Sequence, residues 1–256
     1  MSSPTIGVQS IRRAFAVLRV LGNGPLGVSE VAVASRIPKS TAARLLAALA
    51  SEGAVEQVPG ERRYRLGPDL FSIASGLGET WDIVAIARPV LVDLATQLGE
   101  AAGVSIRDGW TVQYVDQVEP PNPNPVQVRD WTGTRIPLHA VSSGQVFLAQ
   151  LAAPVLARYL GEPLEAFTPR TLVDAPALLE RLRKIRAEGH AWVRDEYSVG
   201  ISSVAAPIAD ARAEVVAAVH VHGPSYRFPA MGEEQRIASA VRTAAARIGA
   251  RLRAGA

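Results

Sequence analysis

The chain has 256 residues, 48% of them apolar and 20% charged, which excludes disorder and collagen and leaves length for two modest domains with cores of their own. It has no cysteine, which removes disulfides, Cys-ligated zinc, iron–sulfur clusters and thiol nucleophiles; with no membrane-length apolar run and no signal-peptide pattern, a cytoplasmic protein that avoids membranes is expected. The net charge of +3 is unevenly spread, since residues 1–70 hold nine Lys or Arg against five Asp or Glu and residues 71–256 hold eighteen against nineteen. A solvated surface accounts for such a surplus, and so does an anionic partner of the N-terminal part, nucleic acid first.

From Ser10 onward, Ile11, Ala14, Phe15, Leu18 and Leu21 recur at helical spacing, which predicts an amphipathic helix with Ser10 as its N-cap. Residues 22–27 end it. A short helix capped by Ser29 runs to Ser35, is interrupted at Arg36-Ile37-Pro38, and is followed by a third helix to about Glu52. The third helix carries Ala42, Leu45, Leu46 and Leu49 on one face and Ser40, Arg44, Ala47 and Ser51 on the other. Extended pieces at 54–58 and 62–66 flank Pro59-Gly60-Glu61, a β-hairpin turn. Three helices and a hairpin make a winged helix-turn-helix domain, placed at residues 1–68.

Helical stretches at 69–78 and 83–98 follow, with the linker helix region placed at 69–88 and a second domain at 89–256. Its pattern is strands at 104–107, 111–117 and 126–131, helices at 142–151, 153–160 and 175–188, strands at 191–194, 203–208 and 215–222, and a last helix over about 232–253. This is an α+β domain with an antiparallel sheet flanked by helices. The Pro/Asn-rich stretch 119–125 reads as a loop.

Phosphate contacts fix the register of a DNA-reading helix and base-edge contacts carry sequence information, so its first turns need short polar and cationic side chains. Lys39, Ser40, Thr41 and Arg44 meet that need, and Arg44 can reach guanine O6 and N7 with both guanidinium nitrogens. The bland reading is a solvated face on which Thr41 merely assists the helix start. Arg62 and Arg63 flank the hairpin turn, suited to phosphate or the minor groove, or simply solvated. A rival reading takes Gly22-Asn-Gly-Pro-Leu-Gly27 as the G-x-G-x-x-G of a dinucleotide-binding enzyme. That needs a preceding strand, whereas the preceding residues have helical periodicity. No hydrolase motif is present, and no enzyme, cofactor or metal is implied.

The chain resembles the IclR family of bacterial transcriptional regulators over nearly its whole length. The carriers are Val8-Gln-Ser-Ile-Arg-Arg-Ala-Phe-Ala-Val-Leu, Ile37-Pro-Lys-Ser-Thr-Ala-Ala-Arg-Leu-Leu with Glu52-Gly53, and Tyr64-Arg-Leu-Gly67. In the second domain they are Ile136-Pro-Leu-His-Ala140, Arg186-Ala-Glu-Gly-His190, Gly200-Ile-Ser-Ser-Val-Ala-Ala-Pro-Ile208 and Ala217-Ala-Val-His-Val-His-Gly-Pro224. The resemblance implies a winged-helix DNA reader joined by a linker helix to a GAF-like effector domain, assembled as a homodimer or a dimer of dimers on a double-stranded, roughly palindromic operator. A ligand-independent DNA-binding protein is the alternative.

Carried over from the family, Ser142, Ser143, Ser203, His220 and His222 would line an effector pocket. A helix start with free N–H groups and nearby hydroxyls suits a small organic acid. The chain departs from the family where Ser203 replaces a frequent cysteine and where His220 and His222 replace small or hydroxyl-bearing residues. Two histidines at i and i+2 on a strand share a face and can contact effector, pack against helices or hold a metal. With near-neutral pKa values, their protonation would strengthen acid binding. His139 reads as structural. Trp110, Trp131 and Trp192 either close an apolar pocket, which would favour an aromatic acid, or belong to the core.

Overall fold

A computed structural model describes residues 9–22, 24–75, 79–122 and 128–254. The chain divides between Trp81 and Asp82 into two compact units, so the division falls inside the stretch read as linker.

The first unit runs through helix α1 (Gln9–Leu21), strand β1 (Leu26–Gly27), helices α2 (Val28–Ala34) and α3 (Lys39–Ser51), strands β2 (Val55–Gln57) and β3 (Arg63–Leu66), and helix α4 (Asp69–Ser75). Ser10 lies within α1, and Ser29 within α2, so neither is a cap. The cap of α2 is Gly27, whose N–H donates to Glu30 Oε2 at 2.6 Å; a carboxylate one turn in takes the role expected of a hydroxyl. Strand β1 pairs with β3, giving a three-stranded antiparallel sheet in the order β1-β3-β2. Two residues are too few to show a period in sequence. Because α1 and not a strand precedes residues 22–27, the dinucleotide-binding reading falls.

Proline disfavours helical geometry at the residue before it, which separates α2 from α3 at Ile37. Arg36 turns the chain there with φ 52°, and the Ile37 N–H donates to the Ala32 carbonyl at 3.0 Å. The apolar face of α3 then does what its spacing predicts: Ala42 and Leu46 are wholly buried beside Val17, Leu21, Val31 and Val55, with Leu45 and Leu49 partly buried around them. The opposite face, Ser40, Arg44, Ala47 and Ser51, is exposed.

The second unit begins within helix α5 (Glu79–Leu98) and continues with β4 (Ala101–Asp108), β5 (Thr111–Val118), β6 (Arg135–Pro137), α6 (Ser142–Gln150), α7 (Ala153–Leu160), α8 (Ala175–Glu188), β7 (Ala191–Arg194), β8 (Ile201–Ala209), β9 (Val215–Pro224) and α9 (Glu234–Ala254). The six strands form one antiparallel sheet in the order β6-β5-β4-β9-β8-β7. Strand β6 was not foreseen, and the strand expected at 126–131 is not formed over its described part, 128–131. Side chains take the amides there: Gln117 Oε1 accepts the Trp131 N–H at 3.3 Å and Asp130 Oδ1 accepts the Thr132 N–H at 2.8 Å, local bonds that compete with a ladder. Residues 126 and 127 lie outside the described residues.

Strand alternation assigns the two faces of the sheet. Val204, Ala206 and Ile208 of β8 and Ala217, Val219 and Val221 of β9 pack with α5 and α9. Ala205 and Ala218 pack on the other side with α6, α7 and α8. Ser203, His220 and His222 share the parity of that second set, so they are delivered toward α6. Among the described residues, no helix is long and apolar enough to cross a membrane.

Candidate nucleic-acid interface and buried cavity

Lys39, Ser40 and Thr41 are the first three residues of α3 and Arg44 lies one turn on, with Lys39, Ser40 and Arg44 exposed and Thr41 half-buried. The residue before the helix is Pro38, and no side chain caps it, so Thr41 is not spent on the helix start. The first amides of a helix have no partner inside it, and here they sit among cationic and hydroxyl side chains. In the wing, Arg62 and Arg63 are exposed beside the turn. Arg63 Nη2 lies 3.5 Å from Glu30 Oε1, the carboxylate that caps α2 and is held below its ordinary pKa chiefly by the Gly27 N–H. Lys39, Arg44 and Arg62 have no carboxylate partner among the described residues. The described side chains of this unit thus offer an anion Lys39 and Arg44 at one exposed helix start and Arg62 on the wing.

The second unit holds a small buried cavity of about 30 Å³ between β8, β9 and the start of α6. Ser142, Ser203, His220 and His222 line it. Ser142 Oγ donates to Ser203 Oγ at 2.9 Å, joining the helix start to the sheet. The register places Ser203 directly opposite His222, and His220 opposite both Ala205 and Gly103. Gly103 makes room for the imidazole: a Cβ built there would stand 2.6 Å from His220 Nε2 and 2.7 Å from the Asp116 carbonyl oxygen. Ser143 is wholly buried but is not part of the cavity lining, contrary to the expectation for it.

The two imidazoles are stacked, ring centroids 5.7 Å apart, and Tyr114 packs edge-on to His220 at 4.9 Å. Neither ring nitrogen of His220, nor Nε2 of His222, has a hydrogen-bond partner among the described residues. Burial holds His220 well below the ordinary histidine pKa, with His222 adding repulsion, and burial pushes His222 down to about 4 despite the opposing pull of Asp130. Burial thus holds both rings below the near-neutral range expected from the sequence. Desolvation penalises the charged form, and both rings are neutral at pH 7. A neutral imidazole still offers one N–H donor and one acceptor.

His139 is held as a structural residue, Nδ1 2.8 Å from the Tyr159 hydroxyl and Nε2 2.9 Å from the Glu165 carbonyl oxygen. Of Trp110, Trp131 and Trp192, only Trp131 lines the cavity. Trp110 leans on Tyr159, and Trp192 packs on Phe228 in the other layer. Sequence reasoning missed Tyr114, Tyr197 and Ser198, which also line the cavity; aromatic and hydroxyl residues scattered over strand and loop carry no local signal. Among the described residues, no group of three His, Asp or Glu side chains is placed to hold a metal.

Residues 78–250 match the family model described as bacterial transcriptional regulator IclR C-terminal, and residues 10–59 match the IclR helix-turn-helix domain. The chain is 35% identical over 237 residues to the HTH-type transcriptional regulator Rv1719 of Mycobacterium tuberculosis, covering 92% of this chain and 89% of that one. It is similar in structure to the IclR protein of Thermotoga maritima, with a TM-score of 0.72, 28% identity and coverage of 96% and 99%. It shares its fold with an IclR homologue of Microbacterium hydrocarbonoxydans solved in complex with 4-hydroxybenzoate, with a TM-score of 0.69, 22% identity and coverage of 96% and 100%.

Proposed function

The chain belongs to the IclR family of bacterial transcriptional regulators, a DNA-binding domain followed by an effector-binding domain and not an enzyme, and from that premise we propose that a small organic acid in the cavity controls its affinity for a palindromic operator. Lys39, Ser40, Thr41 and Arg44 read the operator from the major groove, with Arg62 and Arg63 of the wing on its backbone or minor groove, in a homodimer or dimer of dimers whose symmetry the operator mirrors. The acid sits against Ser142, Ser203, His220 and His222, and it changes operator affinity by binding two states of the protein unequally.

One observation carries the reading: three imidazole nitrogens are buried without partners at the wall of a cavity beside a helix start. Buried polar atoms left unpaired cost free energy that a hydrogen-bonding guest relieves. The 4-hydroxybenzoate complex of the Microbacterium homologue makes that acid the first probe. The small free volume favours one rival, in which water alone fills the cavity and DNA binding is independent of ligand.

The test uses the full chain. Thermal shift across a panel of aromatic and aliphatic acids, 4-hydroxybenzoate included, identifies binders on wild type and on His222→Gln. Binding to duplexes from the gene's own upstream region is then titrated with and without each binder. The reading expects stabilisation that weakens in His222→Gln and a change in operator affinity at saturation. Stabilising acids that leave operator affinity untouched, or whose effect ignores the histidine, would overturn it.

A further inference from the structure

Outside the buried cavity lies a second, larger and more open cleft of about 730 Å³, lined by Arg129, Phe167, Gly200 and Tyr226 among others. The two spaces are not separate features of the surface: Trp131, Tyr197, Ser198 and Ile201 line both and form their common wall. That wall is two aromatic rings edge to face, Trp131 and Tyr197, with centroids 5.7 Å apart, and Phe167 continues the row 5.0 Å beyond Tyr197.

The chemistry of the two spaces differs. The inner one offers hydroxyls and neutral imidazoles with no charged side chain in its lining. The outer one has a single charged residue among its described lining, Arg129. Its guanidinium carbon stands 4.0 Å from the centroid of the Trp131 ring, an arrangement that fixes the planar cation over the aromatic face and leaves its N–H edges free. No carboxylate pairs with Arg129 among the described residues. The neighbouring Asp130 is engaged in accepting the Thr132 N–H. The inner space, about 30 Å³, is far below the volume of an ordinary ligand site, so an organic acid whose head meets the imidazoles extends beyond it, and the outer cleft, which shares Trp131, Tyr197, Ser198 and Ile201 with it, is the adjoining space.

We infer that the outer cleft is a second compartment of the effector site, in which Arg129 binds the distal anionic end of an elongated, two-ended acid whose other end meets Ser142, Ser203 and the histidines. This rests on the acid-binding reading of the inner cavity and adds the ligand class to it. An aryl or alkyl dicarboxylate fits: one carboxylate takes hydrogen bonds from neutral donors inside, the apolar body lies along the aromatic row, and the second carboxylate meets the exposed Arg129 guanidinium, able to hold both oxygens.

The experiment is calorimetric titration of the full chain with matched pairs: straight-chain dicarboxylates of increasing length beside the monocarboxylates of equal length, and terephthalate beside benzoate. At one optimal length the diacid should bind about fivefold more tightly than its monoacid partner, the upper end for one ion pair to an exposed arginine. Arg129→Gln should shrink that ratio to about twofold or less, and Arg129→Lys, which keeps the charge, should retain part of it. Equal affinities for monoacid and diacid at every length, or an Arg129→Gln variant that weakens both in proportion, would overturn the second compartment alone. Absence of binding by every acid would overturn it together with the acid reading of the inner cavity.

Discussion

Two helices of this protein start with similar polar residues and meet opposite surroundings. Helix α3 opens with Lys39, Ser40 and Thr41 after a proline, and its polar face stands in water. Helix α6 opens with Ser142, Ser143 and Gly144, and every residue from Ser142 to Ala149 is buried. Water satisfies the groups on α3 until a partner displaces it, so a partner gains there only through many simultaneous contacts and the release of counterions, as a nucleic acid does. The groups around α6 have already lost water on folding. A single small guest can therefore gain from a few hydrogen bonds. Hydroxyl-rich helix starts become different instruments according to what covers them.

The contrast is broken most severely by filling the space under α6. A Cβ on Gly144 would stand 2.1 Å from the Leu138 carbonyl oxygen and 2.5 Å from its Cα, backbone atoms that cannot swing aside. Gly144→Ala should cost about 3 kcal/mol of stability or more. Ser40→Ala on the exposed start of α3 should stay within about 0.5 kcal/mol. Chemical denaturation of both variants measures the difference, and equal effects would remove the distinction.

Acid should expose the buried side next. The unfolded chain protonates His222 near the ordinary histidine pKa of about 6.5, and the folded chain only near 4. Between these values the unfolded state holds more protons, so stability falls as pH drops through that window and is fully present above it. For His222 alone the loss reaches about 3 kcal/mol at pH 4. Carboxylates contribute their own acid dependence, so the readout is the difference between wild type and His222→Gln across pH 7 to 4. The variant should show the shallower fall; parallel curves would mean that the imidazole is not buried as described.

On the exposed side the effects fall on DNA and not on stability. Arg44→Ala should lose about 1–3 kcal/mol of discrimination between operator and single-base variants, measured by competition binding. Lys39→Ala should do less: a roughly sequence-independent weakening, with the slope of log affinity against log salt reduced by about one. A uniform loss for Arg44→Ala would reassign it to phosphate.

Much of the first unit was legible because short helices and a hairpin are local objects. Leu45, Leu46 and Leu49 repeat at helical spacing, and Pro38 breaks the chain where it must. The misreadings there came from competition at helix starts, where Glu30 caps α2 in place of Ser29. In the second unit, alternation along β9 put His220 and His222 on one face correctly in sequence terms. It could not say that Ser143, adjacent to a lining residue, would miss the cavity, or that Trp131 would line it from an irregular segment held by Gln117.

What the amino-acid order determines by itself is what depends on neighbours within a few positions: the winged helix-turn-helix elements, the strand alternation, the basic surplus near the N-terminus and the family likeness. Tertiary structure decided the rest. Ser203 faces His222 and Gly103 lies beneath His220 because of strand register, which joins residues about a hundred apart along the chain in the second case. Trp131, which carries Arg129 over its ring, is held in an irregular segment by the Gln117 side chain of a neighbouring strand. The imidazoles are neutral because six strands and their covering helices exclude water from them, and desolvation is a property of the whole surrounding volume that no local pattern encodes.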